Sequence, residues 1–162
     1  MLYEYGLDID AEIRYARKWA YHRNPAFYDF DPLGGDCTNF ISQCIYAGGA
    51  VMNYTPDTGW YYISLNDRAA AWTGVEYFYR FITQNIGTGP FGKEVELYRA
   101  APGDVIQLGS SMGFYHSLLV IGVIDGIVYV AAHTNDTYGR PLYTYSYEKA
   151  RCIHIPGARK YL

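Results

Sequence analysis

The chain is predicted to be α+β, with N-terminal helices packed on an antiparallel sheet. Three observations predict this. Apolar residues recur at helical spacing early in the chain, period-two alternation takes over from residue 103, and Asp125-Gly126 separates two strand patterns as a two-residue hairpin turn.

Each element has a local reason. Over residues 8–22, Ile9, Ile13, Ala16, Trp19 and Ala20 share one helical face, with Asp8 or Asp10 as cap and Asn24-Pro25 as the stop. Residues 26–36 form a loop, broken by Pro32 and by Gly34-Gly35. A second helix runs from Cys37 to Ala47 and ends at Gly48-Gly49. A looser stretch, 50–71, carries Trp60-Tyr61-Tyr62, which suit either a cleft lining or packing. A third helix, 73–86, places Val75, Phe78, Tyr79 and Ile82 on one side. Strands are predicted over 103–108, 116–124, 127–134 and 151–155.

Composition bounds the function. The 162 residues suit one domain spanning 1–162, and half of them are hydrophobic. The net charge of −3 comes with scattered Lys and Arg, which argues against nucleic-acid binding. No apolar run is long enough to span a bilayer, and the first residues lack the basic and apolar regions of a signal peptide. Three cysteines, Cys37, Cys44 and Cys152, imply no disulfide framework; Cys44 and Cys152 read as core residues. The 19 tyrosines suit core edges and clefts for peptide or carbohydrate.

Cys37 carries the chemistry. It follows Gly34-Gly35-Asp36 and opens an apolar helical pattern, Phe40, Ile41, Cys44, Ile45. Unpaired N–H groups and the positive dipole end at a helix start lower a thiol pKa and can hold an oxyanion. His116, in a strand pattern, is the candidate base. With a tight turn at Asp125-Gly126, Leu118 faces His133 and His116 faces Asn135, so both His133 and Asn135 lie within reach of His116. One of them, or Asp136, is the orienting third member. His22 and His154 read as structural. Zinc held by Cys37, His116 and His133 is the competing chemistry, but no short-spaced ligand pair supports a metal. No cofactor is needed.

The residues Trp19-Ala20-Tyr21-His22-Arg23-Asn24-Pro25 and Gly34-Gly35-Asp36-Cys37-Thr38-Asn39-Phe40-Ile41-Ser42-Gln43-Cys44 resemble the putative amidase domain family of Firmicutes. So do Pro102-Gly103-Asp104-Val105-Ile106-Gln107, His116-Ser117-Leu118 and His133-Thr134-x-Asp136. The resemblance covers nearly the whole chain; Ala70-Ala71 stand where the family often has serines. That family is similar to the papain-like NlpC/P60 and CHAP groups, which cleave amide bonds, commonly in cell-wall peptides. The resemblance implies a papain-like fold, Cys37 as nucleophile and His116 as base. It maps the third member to His133, while Asp136 matches the family's pattern and Asn135 falls on a variable position. The Cys37 N–H and Tyr28 are the candidate oxyanion donors. Peptidoglycan is the expected substrate, as for a phage-type lysin or a wall enzyme. Another peptide, as for an effector toxin, and a non-catalytic binding module of the same fold are the alternatives.

Overall fold

The computed structural model, residues 1–162, is α+β: four helices and an antiparallel seven-stranded sheet, with a small two-stranded sheet beside them. In chain order the elements are β1 (Leu2–Gly6), α1 (Ile9–Trp19), α2 (Cys37–Ala47), β2 (Tyr62–Ser64), β3 (Asp67–Arg68), α3 (Ala70–Thr73), α4 (Val75–Gln84), β4 (Gly89–Val95), β5 (Val105–Ser110), β6 (Gly113–Ile124), β7 (Ile127–Ala132), β8 (Thr137–Pro141) and β9 (Lys149–Tyr161). No helix is long and apolar enough to cross a membrane.

The large sheet runs β1-β9-β5-β6-β7-β8, and β4 pairs with β9 along that strand's other edge. Strand β9 holds the ends of the chain together: residues 149–153 pair with β5 and 157–161 with β1. The sheet separates two apolar layers. Leu119, Ala131, Val105 and Ile153 pack with the helices, while Leu118, Val120, Ile106 and Cys152 fill the other side. Period-two alternation does this, because successive side chains of a strand leave opposite faces. It therefore puts Ser117 with Leu119 on the helix side and His116 with Leu118 on the other.

Helix α1 starts where Asp8 accepts a bond from the Ala11 N–H at 3.0 Å, and it ends at Trp19, three residues short of the expected boundary. Helix α2 matches the expected 37–47 and is buried along nearly its whole length. Ser42 ties it to the aromatic cluster, donating to the Trp72 carbonyl at 2.9 Å and accepting from Trp60 Nε1 at 3.0 Å. Trp60 is a fully buried packing residue, Tyr61 is half-exposed, and Tyr62 is buried at the edge of a shallow surface cavity with Phe27 and Tyr28. The third expected helix, 73–86, is α4, two residues shorter at each end; the short α3 before it is not among the expected elements and is set off by Gly74, which takes an extended conformation. Cys44 and Cys152 are buried free thiols, as expected of core residues.

The Asp125-Gly126 turn forms, with both residues in the left-handed region (φ 52° and 77°) that such a hairpin requires. Its register holds only to Gly122↔Tyr129. The next pair is Val120↔Val130, so Ile121 is a bulge. That one extra residue shifts the expected pairing, and Leu118 no longer faces His133.

Helix α1 also buries Glu12, whose two carboxylate oxygens have no hydrogen-bond partner. Burial, then the nearby Asp104 and Asp8 charges, push its pKa up to about 9. Folding thus takes up a proton between about pH 4.5 and 9, and stability falls as pH rises across that window. Each pH step across the window costs about 1.4 kcal/mol, so Glu12→Gln should stabilise the fold by about 3 kcal/mol at pH 7 and flatten its decline toward pH 9. Chemical denaturation at several pH values checks this; an unchanged pH slope in the variant would remove Glu12 as its cause.

Candidate active site

The turn before α2 is shaped by Gly34 and Gly35, whose φ angles of 101° and 118° disfavour any side chain. It delivers Asp36 and Cys37 into the interior. Asp36 occupies the N-cap position of α2 but makes no cap bond. Its carboxylate points backwards instead. One oxygen accepts from the Phe30 N–H and Asn39 Nδ2, both at 2.8 Å; the other meets His133 Nδ1 at 2.5 Å, with Arg23 Nε at 3.6 Å. No side chain therefore caps the first-turn N–H groups of α2.

Cys37 is 7% exposed. Its sulfur lies 3.8 Å from Thr38 Oγ1, and Thr38 Oγ1 lies 3.0 Å from Ser117 Oγ, the residue after His116. Gln107 completes this link by donating to Ser117 Oγ at 3.1 Å. Burial raises the Cys37 pKa, and the Asp36 charge adds to the rise. The Ser117 N–H, the Thr38 hydroxyl and the Thr38 N–H pull the other way and do not cancel it. This corrects the expectation of a thiol acidified by its helix start: desolvation of a nearly enclosed sulfur outweighs the helix end.

His116 is 8% exposed and makes no hydrogen bond to Cys37. It lines a cavity of about 300 Å³ with Tyr115, Thr134, Asn135, Arg140 and Tyr145. The cavity adjoins the nucleophile turn, because Thr134 Oγ1 sits 3.5 Å from where a Cβ on Gly35 would lie. Burial first, and the Arg140 cation second, lower the His116 pKa to about 4. At neutral pH the site thus holds a neutral thiol and a neutral imidazole.

His133 is not brought to His116. Its Nε2 donates to the Trp19 carbonyl at 2.7 Å, its Nδ1 bonds the Asp36 carboxylate at 2.5 Å, and its ring stacks on Phe40 at 4.0 Å. One nitrogen holds the turn before α2 and the other the end of α1. Asp136 is likewise engaged, by Arg23 at 3.1 Å through both Nη atoms. Asn135 alone of the three shares the His116 cavity. It follows Thr134, and both take left-handed backbones (φ 58° and 65°), strain of a kind concentrated at functional turns. Tyr28 gives its N–H to Tyr62 at 2.8 Å and accepts from Asn39 at 3.0 Å, so its main chain is not free for an oxyanion. His154 bonds Asp104 at 2.8 Å, a structural use, and His22 is exposed. No group of three His, Cys, Asp or Glu side chains has a metal-holding arrangement.

Residue reasoning does not single out Arg23, Asp36 or Arg140. Arg23 spans four carboxylates, Asp29, Asp31, Asp36 and Asp136, drawn from three stretches of chain. Its only sequence signal is its place in the Trp-Ala-Tyr-His-Arg-Asn-Pro segment. Arg140 and Tyr145 carry none, since they reach the cavity through β8 and the loop after it.

Residues 6–155 match the family model described as "Putative amidase domain". A relative from Bacillus subtilis (strain 168), "Uncharacterized protein YhbB", is 33% identical over 131 residues, covering 77% of this chain and 40% of that protein. The chain thus spans well under half of that relative's length. No solved structure matches. The match runs through the nucleophile turn, the His116 strand and the His133 turn, and the chain belongs to the putative amidase domain family, whose description is of amide hydrolysis.

Proposed function

We propose that this chain is a cysteine-nucleophile amide hydrolase of papain-like design, acting on bacterial cell-wall peptides. One observation carries the reading. Cys37 opens a buried helix whose first turn has no side-chain cap, and its sulfur rests beside the Thr38 hydroxyl and the N–H of Ser117, the residue after His116. The wall substrate rests on resemblance alone.

His116, neutral above about pH 4, takes the Cys37 proton as the sulfur attacks the amide carbonyl carbon. The oxyanion is held by the Cys37 N–H and its first-turn neighbours. The imidazolium then protonates the leaving amine. Water, deprotonated by His116, cleaves the thioester and restores the thiol. Asn135 is assigned the orienting role because it shares the cavity with His116, whereas the His133 and Asp136 side chains are bonded elsewhere. His116 makes no hydrogen bond to Cys37 and leaves β6 on the face opposite Ser117, so proton transfer between them requires this segment of β6 to rearrange when substrate binds, as catalytic hydrogen bonds tighten only in the substrate complex.

Digestion of purified peptidoglycan, with fragments identified by mass, tests this. Wild type should release peptide fragments of one bond type, and Cys37→Ala should release none while melting at nearly the same temperature. Retained release by Cys37→Ala discards the mechanism. The binding-module reading draws on the buried, unacidified thiol. It predicts that Cys37 reacts with iodoacetamide no faster with wall peptide present than without it, whereas a site completed by substrate reacts faster.

A further inference from the structure

The cavity beside His116 is electropositive in an acidic protein. None of the residues that line it is acidic, and its one charged group, Arg140, has no carboxylate partner in the chain. By contrast Arg23, Arg151 and Arg159 are all paired. Arg140 is held rather than loose. Its Nε donates to Thr144 Oγ1 at 2.7 Å and one terminal nitrogen to the Thr144 carbonyl at 3.0 Å, while the guanidinium lies 3.7 Å over the Tyr145 ring. The remaining terminal nitrogen has no acceptor. The Tyr145 hydroxyl is buried beside this guanidinium, which stabilises its charged form through both its charge and a side-chain contact. A fixed guanidinium with one terminal nitrogen free of any protein acceptor, in a cavity with no acidic lining, asks for an anionic acceptor.

We infer that Arg140, backed by Tyr145, is a carboxylate-binding subsite, so that the peptide cleaved here carries a free carboxylate close to the scissile amide. This rests on the amide-hydrolase reading. The spacing supports it. The Tyr145 ring lies 6.1 Å from the His116 ring and 3.7 Å from the guanidinium, which puts Arg140 within about 10 Å of the base, two or three residues of extended peptide. A carboxylate is the group a guanidinium fork fits, because its two oxygens match two parallel N–H donors. Binding would also neutralise the cation that helps hold His116 in its neutral form, strengthening the base once substrate is seated.

The probes are the tetrapeptide L-Ala-γ-D-Glu-L-Lys-D-Ala and its form with both carboxyl groups amidated. Binding to the Cys37→Ala chain is measured by calorimetry, so that no turnover is needed. The free acid should bind at least tenfold tighter than the diamide. Adding Arg140→Gln should shrink the gap to under threefold, and Arg140→Lys should leave an intermediate gap, since it keeps the charge without the fork. Thermal melts of each variant show whether it folds; if Arg140→Gln does not, Arg140→Lys and raised salt, which weakens only the acid's binding, take its place. Equal binding of acid and diamide, binding of neither, or a preference that survives Arg140→Gln overturns the inference. Selective binding of the acid, together with an inert wild type, overturns the hydrolase reading and leaves the subsite standing.

Discussion

His116→Asn should lower kcat/KM on wall peptide by about 10³-fold or more, with the melting temperature little changed, because it removes the group proposed to take the Cys37 proton. Asn is close to imidazole in reach but does not titrate, so the loss reports proton transfer rather than packing. The pH profile gives a second reading. Burial and the Arg140 cation hold the His116 pKa to about 4, and kcat/KM reports the free enzyme. Activity should therefore fall only as pH drops through about 4, far below the ordinary histidine value. An acid limb near 6.5 would mean that the base is not this imidazole in this environment. Full activity in His116→Asn would remove it from the mechanism.

Asp36→Ala should cost about 3–5 kcal/mol of stability, the loss expected when one partner of a buried ion-pair network is removed. It strands the Phe30 N–H, Asn39 Nδ2 and His133 Nδ1, all bonded to Asp36 at 2.8 Å or less, and leaves Arg23 short of one of its carboxylates. Asp36→Asn keeps an acceptor for the Phe30 N–H and should cost less. His133→Ala removes one arm of the same network, so the double variant should lose clearly less than the sum of the singles. Denaturant unfolding checks both points. Additive losses from Asp36 and His133 would mean that the pair is not coupled, and a cost below about 1 kcal/mol for Asp36→Ala would mean that the network carries little of the fold.

Element type is legible wherever the local signal is strong. Helix α2 is predicted to the residue because two glycine pairs bracket an apolar run, and the Asp125-Gly126 turn because few dipeptides tolerate its backbone. Strands β1, β4 and β8 have no counterpart among the expected elements, and β9 is far longer than its expected 151–155. The β4 sequence, Gly-Pro-Phe-Gly-Lys-Glu-Val, opens on residues that read as a helix stop, and β9 contains Pro156-Gly157, which reads as a break. Pairing with neighbouring strands overrides both signals, and such pairing has no local signature.

The site divides in the same way. Residue spacing picks out Cys37 and His116 as chemistry-bearing groups, since a cysteine at a helix start and a histidine in a strand are local facts. What each side chain meets depends on the folded chain. A one-residue bulge at Ile121 moves the register that would have set His133 or Asn135 across from His116. Burial reverses the expected direction of the Cys37 pKa. Asp36, His133 and Arg23, far apart in the chain, close one network around the nucleophile turn, and Arg140 enters the cavity from β8. Which of the strongly patterned segments are helix or strand follows from neighbours within a few positions, and the amino-acid order alone settles it. Partners, protonation and cavity are fixed only when the sheet closes, because desolvation and hydrogen bonding depend on what the rest of the chain packs against them.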